Sequence, residues 1–175
     1  MVQLIGHRNC TKSFYYEQDS QSNFNEYNFR TEKIMRPIHP KVKEFISGKH
    51  LLITGASGYL ASNLASFLKD IPCKIRRLSR KLELPPVQGV ASYEDLQGDI
   101  RDSSVWEKAM REVDVVFHFA AQTSVYVADT DPIADYQANV LPMLLMLEAS
   151  KNNGKQSDVI FAGTSTAVGL PHELP

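Results

Sequence analysis

The chain has 175 residues, a formal net charge of −1, 22% charged residues and two cysteines. That length suits one domain able to bury a core, and the near-neutral balance gives no reason to expect nucleic acid or an anionic membrane as partner. Cys10 and Cys73 form no metal-ligand pattern, no apolar run is long enough to span a bilayer, and the N-terminus lacks a signal-peptide core. A soluble cytoplasmic protein with reduced thiols and no metal is therefore expected.

Residues 1–48 read as an N-terminal extension. Ser13 to Asn23 mixes aromatic and polar residues without a period, as a disordered leader or a docking arm does. Pro40–Ile46 can make one or two helical turns with Val42, Phe45 and Ile46 on one side, ended by Ser47-Gly48.

From residue 49 short apolar runs alternate with amphipathic stretches, the pattern of a parallel sheet covered by helices. A strand is expected at 50–54. Leu60, Leu64, Phe67 and Leu68 then recur at helical spacing until Asp70-Ile71-Pro72. Further strands are expected at 73–79 and, weakly signalled, at 92–98. Ser104-x-x-Glu107 reads as a capping box for a helix through Trp106 and Ala109. Asp114–Ala121 is a strong buried strand, 132–150 a long helix kinked at Pro142, and Asp158–Ala162 the last strand. The expected fold is a doubly wound parallel sheet in three αβα layers, with about five strands and ligand sites at their carboxyl ends.

The candidate functional residues lie just after those strands. In Thr54-Gly55-Ala56-Ser57-Gly58-Tyr59-Leu60-Ala61, Gly55 permits a tight turn and Gly58 a close backbone approach. Ala61 is small enough for the helix to pack on the strand. The free N–H groups of that helix start suit a pyrophosphate, and a P-loop is disfavoured because no Gly-Lys-Ser/Thr follows. In Gly98-Asp99-Ile100-Arg101-Asp102, Asp99 can accept a hydrogen bond from an adenine amino group while Ile100 covers the ring, and Asp102 caps a helix. In His118-Phe119-Ala120-Ala121-Gln122 two alanines let backbone approach a cofactor ribose, and His118 reads as a packed strand residue.

With Asp131-Pro132, Asn139-Val140 and Val159 to Gly169 in the same order, residues 50–171 resemble the extended short-chain dehydrogenase/reductase family. This is the NAD-dependent epimerase/dehydratase type that acts on nucleotide sugars. The resemblance implies a Rossmann-like fold and a bound NAD(P). Gly55, Ser57, Gly58, Tyr59 and Leu60 are implied at the pyrophosphate, Asp99 and Ile100 at the adenine, and Phe119, Ala120, Ala121 and Gln122 on the ribose and nicotinamide side. Asn139 matches the family asparagine, which either contacts ligand or holds loop backbone. Thr164 matches the catalytic serine or threonine, with Ser165 and Thr166 as alternatives, and a homodimer through the long helix is implied.

Three departures from the family pattern stand out. Ala61 replaces a glycine, and Val168 stands where the family has tyrosine. The second strand ends Arg76-Arg77-Leu78-Ser79-Arg80-Lys81 instead of in an acidic residue. An arginine there can pair with a 2′-phosphate, so Arg80 points to NADP over NAD. No Tyr-x-x-x-Lys pair follows Thr164, so the chain reads as the N-terminal part of such an enzyme with little turnover of its own. A non-catalytic dinucleotide-binding module and an NADP-dependent reductase of small carbonyl compounds remain as other readings.

Overall fold

The computed structural model describes residues 37–81, 83–152 and 155–163. Expectations for residues 1–36 and for Thr164, Ser165, Thr166, Val168 and Gly169 lie outside them.

Five parallel strands form one sheet in the order β3-β2-β1-β4-β5: β1 His50–Thr54, β2 Lys74–Ser79, β3 Ser92–Gln97, β4 Val115–His118 and β5 Asp158–Phe161. The chain starts in the middle, runs outward through β2 and β3, then crosses to β4 and β5. The order reverses between β1 and β4, where such sheets open a crevice at their carboxyl ends.

Alternation along the strands makes the two faces. Leu51 and Ile53 point to a layer holding Ile46 of α1 (Pro40–Ile46) and Ala61, Ala65 and Leu68 along or just after α2 (Tyr59–Phe67). Leu52 and Val116 face the other layer, with Trp106, Ala109 and Met110 along or after α3 (Ser103–Ala109), and Met146 and Ala149 of α6 (Leu141–Asn152). This is the expected three-layer αβα arrangement. Ala61, only 1% exposed beside Leu51 and Ile53, fills the close-packing position expected of it.

Several local expectations are corrected. The single kinked helix over 132–150 is two helices, α5 (Pro132–Asn139) and α6, parted at Val140. Pro142 has no N–H to continue the ladder, and in the first turn of a new helix none is needed. A short α4 (Val125–Thr130) precedes them, with Asp131 ending α4 and capping α5 through its carboxylate on Ala134 N at 3.0 Å. The Ser104–Glu107 capping box is replaced by Asp102, whose carboxylate accepts Ser104 N at 2.8 Å. Strand β4 stops at His118, beyond which Phe119 N and Ala120 N bond the Thr54 hydroxyl and no longer a strand carbonyl. Of Val42, Phe45 and Ile46, only Ile46 is buried.

Candidate functional site

The carboxyl ends of β1, β2, β3 and β4 surround a cleft of about 480 Å³, a size ordinary for a small-molecule site. Ten sequence-predicted residues line it: Gly55, Ser57, Gly58, Arg80, Asp99, Ile100, Phe119, Ala120, Ala121 and Gln122. They come from four separate segments of the sequence. Tyr59 and Leu60 sit beside it on the first turn of α2, 82% and 57% exposed.

The floor is the turn after β1. Gly55 has φ +66°, and a Cβ there would lie 2.8 Å from Ala120 N, so the two backbones meet with no room for a side chain. Gly58 N donates to Gly55 O at 2.7 Å, which closes the turn. Gly58 also caps α2, and its lack of a side chain leaves the first N–H groups of the helix without a side-chain acceptor.

Beneath the turn, Thr54 and His118 tie β1 to β4. Thr54 Oγ1 accepts Phe119 N and Ala120 N, each at 3.1 Å. With both lone pairs used, its own proton goes to His118 Nδ1, 3.0 Å away. His118 therefore carries its proton on Nε2 and is neutral, in keeping with burial pushing its pKa below the usual histidine value. Its ring lies 5.7 Å from that of Trp106. Its place as a packed strand residue agrees with the sequence reading.

The wall at β3 is charged. Asp99 takes three bonds from Arg101: the backbone N and Nε on Oδ1, both at 3.0 Å, and a terminal guanidinium nitrogen on Oδ2 at 2.7 Å. Those bonds hold the Asp99 carboxyl below the usual range. A carboxylate offers about four acceptor positions, so one remains. Arg101, which lines the cleft, had no role in the sequence reading although it stands inside the quoted motif. Its pairing depends on side-chain geometry that spacing alone does not show.

The two arginines of β2 and Arg80, just after it, part company. Arg76 donates to Ala109 O at 2.8 Å and Arg111 O at 3.0 Å at the end of α3, and pairs with Glu94 at 2.9 Å. Arg77 holds Asp95 with two nitrogens, at 2.6 and 2.7 Å, on the opposite face. Arg80 alone of the three lines the cleft; it is exposed, with no side-chain ion pair among the described residues.

The fourth wall is the loop after β4 against α5. Asn139 sits behind the cleft, its amide bracketing the backbone of Gln122: Gln122 N donates to Asn139 Oδ1 at 2.8 Å, and Asn139 Nδ2 to Gln122 O at 3.0 Å. Of the two roles open for Asn139, the structure displays the loop-holding one. Ala134 and Ala138, one turn apart on α5, line the cleft, and neither was singled out in the sequence. Among the described residues no cluster of His, Cys, Asp or Glu could hold a metal ion, and no helix is long and apolar enough to cross a membrane.

A parallel sheet ordered 3-2-1-4-5, with a glycine turn at its switch point, defines a Rossmann-like α/β domain. The model of the NAD dependent epimerase/dehydratase family matches residues 51–175. CDP-paratose 2-epimerase of Salmonella typhi is 31% identical over 127 residues, 68% of this chain and 38% of that protein. UDP-glucose 4-epimerase of Streptomyces lividans is 30% identical over 136 residues, 74% and 40% of the two. Among solved structures, UDP-glucose 4-epimerase from Bifidobacterium longum in complex with NAD+ and UDP superposes with a TM-score of 0.61 at 26% identity, covering 72% of this chain and 40% of that one. The chain belongs to the NAD-dependent epimerase/dehydratase family, and it spans about two fifths of the length of these relatives.

Proposed function

We propose that this chain supplies the dinucleotide-binding part of an NAD(P)-dependent epimerase/dehydratase acting on a nucleotide sugar, in the cytoplasm. The convergence of the sequence-predicted residues from four strand ends on one cleft carries this reading. The residues present fit a dinucleotide. The uncapped start of α2 and the side-chain-free surface of Gly55 and Gly58 suit a pyrophosphate. The one acceptor position left on Asp99 suits an adenine amino group, and Ile100 offers the apolar cover. Phe119, Ala120, Ala121 and Gln122 form the side for ribose and nicotinamide, on a loop held by Asn139.

Bound there, the nicotinamide supplies a reversible hydride acceptor at the sugar carbon. The chain's own residues fix its position: Thr54 and Asn139 lock the loop, and Gly55 keeps the turn against it. Thr164 is assigned the hydrogen bond to the substrate oxygen at that carbon. No Tyr-x-x-x-Lys pair occurs in the sequence. These 175 residues by themselves are accordingly expected to bind the dinucleotide with little turnover, and substantial epimerase or dehydratase activity from them would overturn that expectation.

Arg80 makes NADP the preferred form within this reading, because its guanidinium lines the cleft just after β2 and makes no ion pair among the described residues, its charge only adding to the field at Asp99. The Bifidobacterium relative carries NAD+, so a preference for NADP would be a departure specific to this chain. Calorimetric titration with both dinucleotides decides it: NADP is expected to bind several-fold tighter, and tighter NAD binding removes the assignment. Pairing of two copies belongs to the same reading, since Val140, Leu144 and Leu147 on and beside α6 are about half exposed. Sedimentation of a single 19.7 kDa species at high concentration would count against it.

A further inference from the structure

We propose that Asp135 is a positioning residue of the cleft, selecting the one arrangement of two amide side chains that locks the loop after β4. The proposal rests on the dinucleotide reading above for its purpose. Asp135 Oδ1 accepts two hydrogen bonds, from Asn139 Nδ2 at 2.9 Å and from Gln122 Nε2 at 3.0 Å. No other side chain of the described residues bonds both amides.

The consequence follows from the chemistry of amides. An Asn or Gln side chain turned by half a rotation exchanges its acceptor and its donor, and two such groups around one loop have four combined orientations. A carboxylate only accepts, so Asp135 favours the orientation in which both NH2 groups face it. In that state the two oxygens must point the other way. Asn139 Oδ1 then meets Gln122 N, and Gln122 Oε1 meets Ser124 N. Gln122 Nε2 also donates to Ser124 O at 2.9 Å, which closes the loop on itself.

Asp135 is one turn before Asn139 on α5, so the two side chains share a helix face. Ala134 and Ala138, their neighbours in sequence, line the cleft. Helix α5 thus presents two small residues to the ligand space and, beside them, a carboxylate and an amide to the loop. Asp135 does not line the cleft and acts through Gln122 and Asn139.

The test compares Asp135→Ala with Asp135→Asn in the full chain. Asparagine can keep its oxygen toward both amides, whereas alanine leaves each NH2 group with one acceptor, Gln122 O for Asn139 and Ser124 O for Gln122, and removes the carboxylate they share. In the ligand-free protein, Asp135→Ala is expected to speed backbone amide exchange at Gln122 and Ser124 by about tenfold or more. Phe119 and Ala120, held by Thr54, should stay protected. The Kd for NADP should rise about tenfold, with Asp135→Asn restoring both readouts to within about twofold. Unchanged exchange in Asp135→Ala, or an Asp135→Asn variant as defective as alanine, overturns the proposal. Should alanine prevent folding, Asp135→Ser, too short to reach both amides, takes its place with the same readouts. A wild-type chain that binds neither NAD nor NADP refutes the dinucleotide reading instead, and the exchange arm still decides whether Asp135 holds the loop.

Discussion

Thr54 and His118 stand on adjacent strands with Thr54 Oγ1 3.0 Å from His118 Nδ1, and the same hydroxyl accepts the two N–H groups that begin the cleft loop. One buried oxygen therefore makes three hydrogen bonds and couples the core to the site. Replacing Thr54 by valine keeps the shape and removes the hydroxyl. It leaves Phe119 N, Ala120 N and His118 Nδ1 without their partner, and roughly 2–4 kcal/mol of stability should be lost. Urea denaturation measures this, and a loss below about 0.5 kcal/mol would show that other acceptors take over.

The same relationship predicts a pH dependence. Burial lowers the pKa of His118, and of His50, where the Arg76 charge adds to the effect of burial. The unfolded chain binds more protons than the folded one between each lowered value and the ordinary pKa near 6.5. Their contribution is thus fully present above about pH 6.5 and is lost as the pH falls from there toward the folded values. A protonated His118 would also offer Thr54 a donor where the hydroxyl has no lone pair left. Denaturant midpoints at pH 7.5 and 5.5 should differ less for His118→Asn than for the wild type, and equal differences would clear His118 of any part in it.

Gly55→Ala tests the meeting of two backbones. The added Cβ would sit 2.8 Å from Ala120 N and 3.0 Å from Phe119 C, atoms that cannot swing aside as a flexible side chain could. The positive φ alone costs about 1–2 kcal/mol for a residue with a Cβ. The turn and the loop must part, so a lower melting temperature and a Kd for dinucleotide raised by about tenfold or more are expected. Gly48→Ala is the control: its φ is also positive, +75°, but nothing lies within 4 Å of its Cβ, so it should affect stability and leave binding unchanged.

How far the sequence revealed all this depended on where each interaction lies along the chain. Strands β1 and β4 were plain because both are buried in the sheet interior and read as apolar runs. The edge strand β3 was faint, since Ser92, Glu94, Asp95 and Gln97 meet solvent or the β2 arginines. Helix α4 carries no sequence signal, because Val125 and Tyr126 are 83% and 76% exposed and leave no buried periodic face. Most cleft residues were legible because glycine turns and strand ends have fixed chemistry. The Asp99–Arg101 pair and the Asp135 bridge were not, for they depend on rotamers and on a loop and helix brought together by folding. The break at Val140 was half legible: Pro142 announced a disturbance, and only the tertiary setting decided between a kink and a new helix.

Arg76 and Arg77 of β2 and Arg80 just after it give the last prediction, because their three fates separate stability from binding. Arg76 is 8% exposed and satisfies carbonyls at the end of α3 while pairing with Glu94. Its removal to alanine should cost roughly 2–3 kcal/mol, since buried acceptors lose their donor. Arg77→Ala should be comparably damaging, as it breaks the two-nitrogen grip on Asp95 and the bond to Pro85 O at 2.7 Å. Arg80→Ala should shift stability by less than about 0.5 kcal/mol, because an exposed side chain with no side-chain hydrogen bond among the described residues leaves nothing unpaired. Its effect should fall on NADP, with affinity reduced about tenfold and NAD affinity unchanged, a loss of about 1.4 kcal/mol confined to the 2′-phosphate. Thermal unfolding and paired titrations of the three variants resolve the pattern. If Arg80→Ala weakens NAD and NADP alike, the guanidinium acts on the whole anion and selects no phosphate at the 2′ position.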